Sequence, residues 1–191
     1  MNFVLDLLQG VGLAAAIGVR PWLPMLLAGA FAAANLGVDF EGTDFAFLES
    51  APILVILAVL FVVAIVVERR YGEPGPVVVY AVMAALLGAV EASASLADRG
   101  HSIIPGVVLG AAAGVLGFAA ARTLFTRVRR RLDPEAAGTL PVYAEGLALA
   151  AAAASLLFPP LAVLVLGGLA WLLAGGRRRE GEKYAGLRVL R

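Results

Sequence analysis

The segment Gly10–Gly37, GVGLAAAIGVRPWLPMLLAGAFAAANLG, contains the arginine and the proline that decide how this chain folds. It is apolar almost throughout, yet Arg20 stands in its middle and Pro21 follows directly. An arginine at the centre of a bilayer costs roughly 2.5–3.5 kcal/mol on insertion scales, and a proline inside a helix removes a backbone hydrogen bond. We therefore expect two apolar pieces here, Phe3–Val19 and Pro21–Leu36, instead of one straight helix.

The composition is that of a membrane protein. Of the 191 residues, 61% are hydrophobic and 15% are charged, and the mean hydropathy is +0.92. Ordinary globular chains are about 45–50% apolar and about 25% charged, and a soluble domain of this size could not bury the excess. The chain has no cysteine, one histidine and a net charge of +1. Disulfides, thiolate or histidine-rich metal sites, a resident cofactor and nucleic-acid binding are therefore not expected.

Several apolar runs reach the length of about 20 residues that a spanning helix needs. Three lie in the middle of the chain: Ser50–Val67, Val77–Ala97 and Ser102–Ala121. The third carries a row of glycines (Gly106, Gly110, Gly114, Gly117) that favours close helix packing. Near the C-terminus, Pro141–Phe158 and Leu161–Ala174 flank the pair Pro159-Pro160, which a continuous helix would not accommodate.

The sequence therefore predicts an all-α fold, a polytopic transmembrane helical bundle with about 5–7 membrane segments. Broken or re-entrant helices are expected at residues 3–36 and 141–174, with helix breaks at Pro24, Pro159 and Pro160. Residues 1–176 would form a single transmembrane domain and residues 177–191 a basic tail.

Lysine and arginine in the connections predict the orientation. The loop 37–49 has no basic residue and 98–101 has one, whereas 122–132 holds five arginines and the tail is strongly basic. We expect an inner-membrane protein with residues 37–49 and 98–101 outside, and with residues 68–76, 122–140 and the tail in the cytoplasm. Residues 141–174 must then enter and return, with a turn at Pro159-Pro160. The side of the N-terminus stays open.

Two stretches carry a resemblance to a known family. GLAAAIGVRPWLPMLLAG, followed by an acidic loop, and YAEGLALAAAAASLLFPPLAVLVLGGLAWLL, before a basic tail, resemble the bacterial family of domain of unknown function 4126. That family carries a Gly-x-x-(aromatic or small)-Leu-Pro-Leu-Leu element near its N-terminus and an Ala-Glu element in its last apolar region. The resemblance covers nearly the whole chain. It implies a small multi-pass inner-membrane protein and supplies no activity; Arg20 is not a signature of the family.

Arg20 is the first candidate site residue, together with Pro21 and Trp22. If Pro21 opens a half-helix, a cation and the positive end of a helix dipole face each other. That pairing is favourable only when an anion lies between them, either a group of a substrate or a carboxylate from elsewhere in the chain. The alternative is a turn at the interface, in which Arg20 reaches the headgroups and Trp22 joins the aromatic belt.

Two carboxylates are the other candidates for substrate or ion binding. Glu91 lies inside Val77–Ala97, where it is expected to couple to protons, bind a cation or pair with Arg20; the alternative is a hydrated position near the outer surface. Glu145 follows Pro141 by four residues. It is either a helix-capping carboxylate in a first turn or a second partner for Arg20.

These residues favour a transporter or channel for a small, anionic solute that uses Arg20 and Glu91. The alternative is a structural or lipid-handling protein whose polar residues only lock helix packing. No enzyme motif is present in the sequence, so an enzyme is not expected. With few spans per chain, a homo-oligomer is favoured. The arginine cluster is expected to contact anionic lipid headgroups through Arg127, Arg129, Arg130 and Arg131.

Overall fold

The computed structural model describes residues 2–71 and 76–185, which form a bundle of helices. Seven of the helices have 12 residues or more and two are short. In chain order they are α1 (Phe3–Val19), α2 (Trp22–Ala33), a 3-10 turn (Ala46–Glu49), α3 (Ala51–Tyr71), α4 (Val77–Ala97), α5 (Ile104–Arg129), α6 (Pro134–Ala137), α7 (Leu140–Leu157) and α8 (Leu161–Ala185).

Four of these helices contain stretches that are long and apolar enough to cross a membrane. These stretches are Ala51–Arg70, Val77–Ala97, Ile104–Arg129 and Glu135–Leu157; the shorter apolar helices are Phe3–Val19, Trp22–Ala33 and Leu161–Gly175. The all-helical membrane bundle predicted from composition is thus confirmed. The helix of α8 continues past residue 176 to Ala185, and residues 186–191 of the predicted tail lie outside the described residues.

The helix α1 occupies the centre of the bundle and contacts α2, α4, α5, α7 and α8. The run Leu13–Ile17 has no exposed surface at all. The stretch that the sequence shows as apolar therefore faces other helices for most of its length. By contrast, only 6% of the apolar stretch of α3 is buried, which leaves that helix at the periphery.

Glycines let α1, α4 and α5 approach until their backbones touch. A Cβ atom on Gly10 would lie 2.9 Å from the Cα of Ala92, and one on Gly18 would overlap the carbonyl of Gly114. A Cβ atom on Gly106 would lie 2.8 Å from the backbone of Ser93. The glycine row of α5 is buried, as the small-residue spacing predicts.

These contacts fix the direction of the helices. Gly10 lies beside Ala92 and Gly18 beside Gly114, while Gly106 lies beside Ala92. The helix α1 is therefore antiparallel to α4 and parallel to α5. One end of the bundle, which we call the His101 end, holds the start of α1 and the loops 37–49 and 98–101. The other, the Arg20 end, holds the turn after α1 and the last turns of α3 and α5.

This grouping of loops is the one that the charge pattern predicts. The guanidinium of Arg99 donates to the carbonyl of Gly37 across the two loops that were assigned to the same side. At the other end, Arg20 meets Glu68. Which end faces the cytoplasm stays a prediction.

Both proline-interrupted stretches are helical hairpins. The first hairpin turns at Arg20, whose backbone is extended, and Pro21, which is the N-cap of α2. The second turns at Phe158, which is outside either helix, followed by Pro159-Pro160. Residues 141–174 thus form a hairpin with its turn at Pro159-Pro160, as the sequence predicts.

Pro24 does not break a helix, which corrects the prediction. It is the third residue of α2 and is buried. The first backbone N–H groups of a helix have no partner within the helix, so a proline in the first turn loses no hydrogen bond. Pro159 and Pro160 do lie at a break, because no helix continues through them.

A methyl group at Gly18 should destabilise the bundle. We expect Gly18→Ala to lower the free energy of unfolding by about 1–3 kcal/mol, because the new Cβ would overlap the backbone of α5. The control is Gly146→Ala in α7, where a Cβ would meet nothing within 4 Å and alanine has the higher helix propensity. Unfolding in mixed detergent micelles measures both. Equal stability of the two variants would contradict the proposed packing.

Candidate functional site

The Arg20 end holds a cluster of charged side chains from four helices. The guanidinium of Arg20 donates two hydrogen bonds to Glu68, Nη1 to Oε2 at 2.6 Å and Nη2 to Oε1 at 2.9 Å. This two-pronged geometry is the strongest that an arginine and a carboxylate form. The Arg20 side chain is 24% exposed and that of Glu68 is 9% exposed. The pair therefore lies mostly out of solvent and ties the end of α1 to α3.

Two further side chains complete the cluster. Oε1 of Glu145, from α7, lies 3.8 Å from Nε of Arg20. Nη2 of Arg129, from the end of α5, lies 3.9 Å from Oε1 of Glu68. With both carboxylates ionised, two guanidiniums and two carboxylates balance. The buried Oε2 of Glu145 has no hydrogen-bond partner among the described residues. We call these four residues the ion cluster.

Local structure places each member of the ion cluster. Arg20 is extended between α1 and α2, so its side chain is free of the helical rotamers of either helix. Glu145 is the sixth residue of α7. It therefore lies beyond the first turn, and the interpretation as a helix-capping carboxylate is wrong. The helix starts at Leu140, one residue before Pro141, which the sequence predicts as its start.

The ion cluster supplies the anion that Arg20 requires. The sequence left open whether that anion is a substrate group or a carboxylate of the chain. In the structure the carboxylate of Glu68 occupies this place. Beside it lies a cleft of about 260 Å³ that is lined by Glu68, Arg69, Arg129, Ala137, Gly138 and Pro141.

Removing the carboxylate of Glu68 should destabilise the Arg20 end. We expect Glu68→Gln to lower the free energy of unfolding by about 1–3 kcal/mol, because a mostly buried guanidinium loses its charged partner while its partial exposure reduces the loss. The measurement is unfolding in mixed detergent micelles, with Glu41→Gln in the exposed loop as the matched control. A Glu68→Gln protein as stable as the wild type would contradict the pairing.

Glu91 lies apart from the ion cluster. It is 1% exposed, so it is not hydrated, although it lies only six residues, or about 9 Å, before the end of α4 at Ala97. Its neighbour Ala92 packs against Gly10, ten residues and about 15 Å along α1 from Arg20. An Arg20–Glu91 pair is therefore not formed. The carboxyl Oε1 of Glu91 has no hydrogen-bond partner among the described residues.

Other buried polar groups share the half of the bundle that contains Glu91. The Ser95 hydroxyl donates to the backbone carbonyl of Glu91 at 3.1 Å, and the Ser93 hydroxyl, also buried, has no partner in the described chain. The amide of Gln9 lies 3.4 Å from the carbonyls of Gly37 and Leu156. Most of the fully buried polar side chains of the described residues therefore lie in this half of the bundle.

The His101 end contains an acid–histidine pair that the sequence analysis missed. Nε2 of His101 lies 3.2 Å from Oδ2 of Asp6, and Asp6 is 1% exposed. The ring of Phe3 packs edge-on against the imidazole, with 5.2 Å between ring centroids. In the sequence, Asp6 is visible as an acid within the apolar start of α1. Nothing in the sequence pairs it with His101, which lies 95 positions away.

Asp98 lies at the same end, immediately after α4. Burial raises the pKa of this carboxyl above its ordinary value of 3.8, and the charge of Arg99 and a backbone hydrogen bond from Asp39 oppose that shift. Nε of Arg99 lies 3.0 Å from its Oδ2. The native state therefore holds a proton on Asp98 in a pH range where the unfolded chain has released it.

This difference predicts a pH dependence of stability. Because the folded pKa is raised, the contribution of Asp98 is favourable at low pH and is lost as the pH rises from about 4 through the folded pKa. We expect the wild type to lose stability relative to Asp98→Asn over that range. Melting temperatures across this pH range measure the difference, with Asp44→Asn in the exposed loop as the control. Parallel pH profiles of the wild type and Asp98→Asn would exclude this effect.

The remaining predicted site residues are not part of the ion cluster contacts described above. Pro21 caps α2, and Trp22 packs, partly buried, against the apolar cluster that includes Met25 and Ile17. Arg127, predicted to face lipid headgroups, donates to the carbonyls of Thr123 at 2.9 Å and Leu172 at 3.1 Å. It therefore links α5 to α8.

Long apolar helices, a central buried helix and ionisable groups at both ends define the class: a helical membrane protein. The chain belongs to the family described as Domain of unknown function (DUF4126), whose profile matches residues 7–179. The match extends from α1 into α8 and includes Arg20, Glu68, Glu91 and Glu145. No curated protein and no solved structure matches the chain.

Proposed function

We propose that this protein is a small membrane transporter whose coupling group is Glu91, a carboxyl that takes up and releases a proton or a monovalent cation. One observation carries the proposal. Glu91 is 1% exposed inside a helix long and apolar enough to span a membrane, and its Oε1 has no partner among the described residues. A bare carboxylate in such a place is costly, so it must carry a proton or hold a cation. Ionisable residues within membrane segments commonly mark ion pathways.

The arrangement along α1 supports a carrier that is closed toward the Arg20 end. Gly10, which lies at the level of Glu91, is four residues or about 6 Å along the axis from Asp6. Toward Arg20, about 15 Å of helix includes Leu13, Ala16 and Ile17, which are fully buried and apolar. Glu91 therefore lies closer to Asp6, near the His101 end, than to Arg20, and buried apolar side chains separate it from Arg20.

The geometry favours a cation or proton over an anion at these sites. The guanidinium of Arg20 already binds the carboxylate of Glu68 with two hydrogen bonds, so an anionic solute would have to displace that carboxylate. Asp6, Glu91 and Glu145 each have a buried carboxyl oxygen without a hydrogen-bond partner among the described residues. An anionic solute at Arg20 and a homo-oligomeric assembly stay predictions.

The second candidate is a structural protein whose polar residues hold helices together. The Arg20–Glu68 pair joins α1 to α3, and Arg127 joins α5 to α8 through the carbonyl of Leu172. Under this alternative, Glu91 is a permanently protonated group that exchanges nothing. The two proposals therefore differ in whether Glu91 exchanges protons or cations with solvent.

Proton and sodium fluxes into proteoliposomes test the proposal. Vesicles containing the full chain and a trapped pH dye are given an inside-negative potassium diffusion potential; parallel vesicles receive radioactive sodium. We expect a flux above that of protein-free vesicles in one of the two assays, and a loss of about tenfold or more in Glu91→Gln, because glutamine is isosteric with the protonated acid and cannot release a proton. Glu41→Gln, an exposed change of the same kind, should leave the flux unchanged.

Labelling with a hydrophobic carbodiimide gives a readout that needs no transported solute. This reagent modifies protonated carboxyls in apolar surroundings, and exchange with solvent would make labelling of Glu91 fall with rising pH or with added sodium. Labelling independent of both, together with fluxes equal to those of protein-free vesicles, would exclude the transport proposal and leave the structural alternative.

A further inference from the structure

The last two turns of α5 form a basic cleft that the transport proposal does not use. The cleft has a volume of about 340 Å³, and its lining residues are three arginines and one threonine: Arg122, Thr126, Arg129 and Arg130. Their spacing of four, seven and eight residues from the first places all four on one face of the helix. The volume is about that of ten water molecules in the liquid. It is therefore large enough for a phosphate group with part of its ester.

We propose that this cleft binds the phosphodiester headgroup of an anionic glycerophospholipid. Guanidinium groups match the tetrahedral oxygens of phosphate with paired N–H donors, and the Thr126 hydroxyl adds a neutral donor. The four lining residues include no carboxylate that would repel the ligand. Oε1 of Glu68 lies 3.9 Å from Nη2 of Arg129, at the edge of the cleft.

The depth of the cleft favours a lipid over a soluble anion. Arg129 is the last residue of the apolar helix Ile104–Arg129, and Arg122 lies seven residues, or about 10 Å, before that end. A cation at this depth extends toward the headgroup layer. A lipid phosphate already resides there, whereas a soluble anion would have to leave bulk water to reach Arg122.

The structure also changes which arginines serve this role. The sequence predicts lipid contact for the whole group Arg127, Arg129, Arg130 and Arg131. Arg127 is bound to backbone carbonyls of α5 and α8, and Arg131 does not line the cleft. Arg122, which lies further inside the helix, replaces them.

Thermal stabilisation by added lipid tests the site. The full chain in detergent is titrated with dioleoyl phosphatidylglycerol, with dioleoyl phosphatidylcholine as the zwitterionic lipid, and its melting is followed by the fluorescence of Trp22 and Trp171. We expect saturable stabilisation by phosphatidylglycerol alone. Arg130→Gln, at an exposed position, should weaken apparent binding about fivefold. Arg131→Gln, an exposed arginine of the same segment, should leave it within about twofold.

Other outcomes would overturn the assignment. Equal weakening by Arg130→Gln and Arg131→Gln would show a diffuse charge effect without a defined cleft. Stabilisation by inorganic phosphate that matches that of phosphatidylglycerol would indicate a soluble-anion site. Arg122→Gln is expected to weaken binding as Arg130→Gln does. The test depends on Arg130→Gln, because Arg130 is exposed and its substitution leaves the helix packing intact. None of these results depends on ion transport by Glu91.

Discussion

Backbone contact between α1 and its neighbours α4 and α5 is the constraint from which the rest of this bundle follows. Helices in lipid gain little from apolar burial, so close approach through small residues supplies the packing energy. Gly10, Gly18 and Gly117 allow that approach, because a Cβ atom at any of them would overlap a neighbouring helix. The short, alanine-rich α1 thereby becomes the centre, and its length of about 25 Å sets the distance between the two polar ends.

The arginine within the apolar N-terminal stretch is explained by this central position. Arg20 follows the last residue of the central helix and contacts Glu68 of α3 and Glu145 of α7, while Arg129 of α5 lies beside Glu68. An isolated guanidinium would be unfavourable at the end of a buried helix, whereas a doubly hydrogen-bonded ion pair is acceptable. The proline that follows turns the chain away from the cluster. Arg20 and Pro21 thus serve one purpose, which is to end α1 at a charged layer.

The elements that the sequence predicted are those that depend on local properties. The helices α3, α4 and α5 follow from apolar runs of sufficient length, and the two hairpin turns follow from proline. The partner of Arg20 could not be predicted, because Glu68 lies 48 positions away and follows an apolar run as an ordinary helix end would. The error about Glu145 arose from a helix start that differs by one residue, and the error about Pro24 from tolerance of proline in a first turn.

Hydropathy also does not predict which polar side chains are buried without a partner. Glu91 and Asp6 are visible in the sequence as acids in apolar surroundings, but only the packing shows that each has a carboxyl oxygen without a partner in the described part of the chain. Hydropathy averages over all sides of a helix, so it does not distinguish a side chain that faces lipid from one that faces another helix. Hydropathy therefore does not show by itself that α3 is peripheral and α1 central, although their exposure differs.

The central position of α1 also bears on how the protein is made. The ribosome synthesises α1 before any of the helices α4, α5, α7 and α8 that later surround it, and this helix carries Asp6, Gln9 and Arg20 on a backbone rich in glycine and alanine. Such a segment partitions poorly into lipid alone. We therefore expect the stable insertion of α1 to require packing against helices that are synthesised after it.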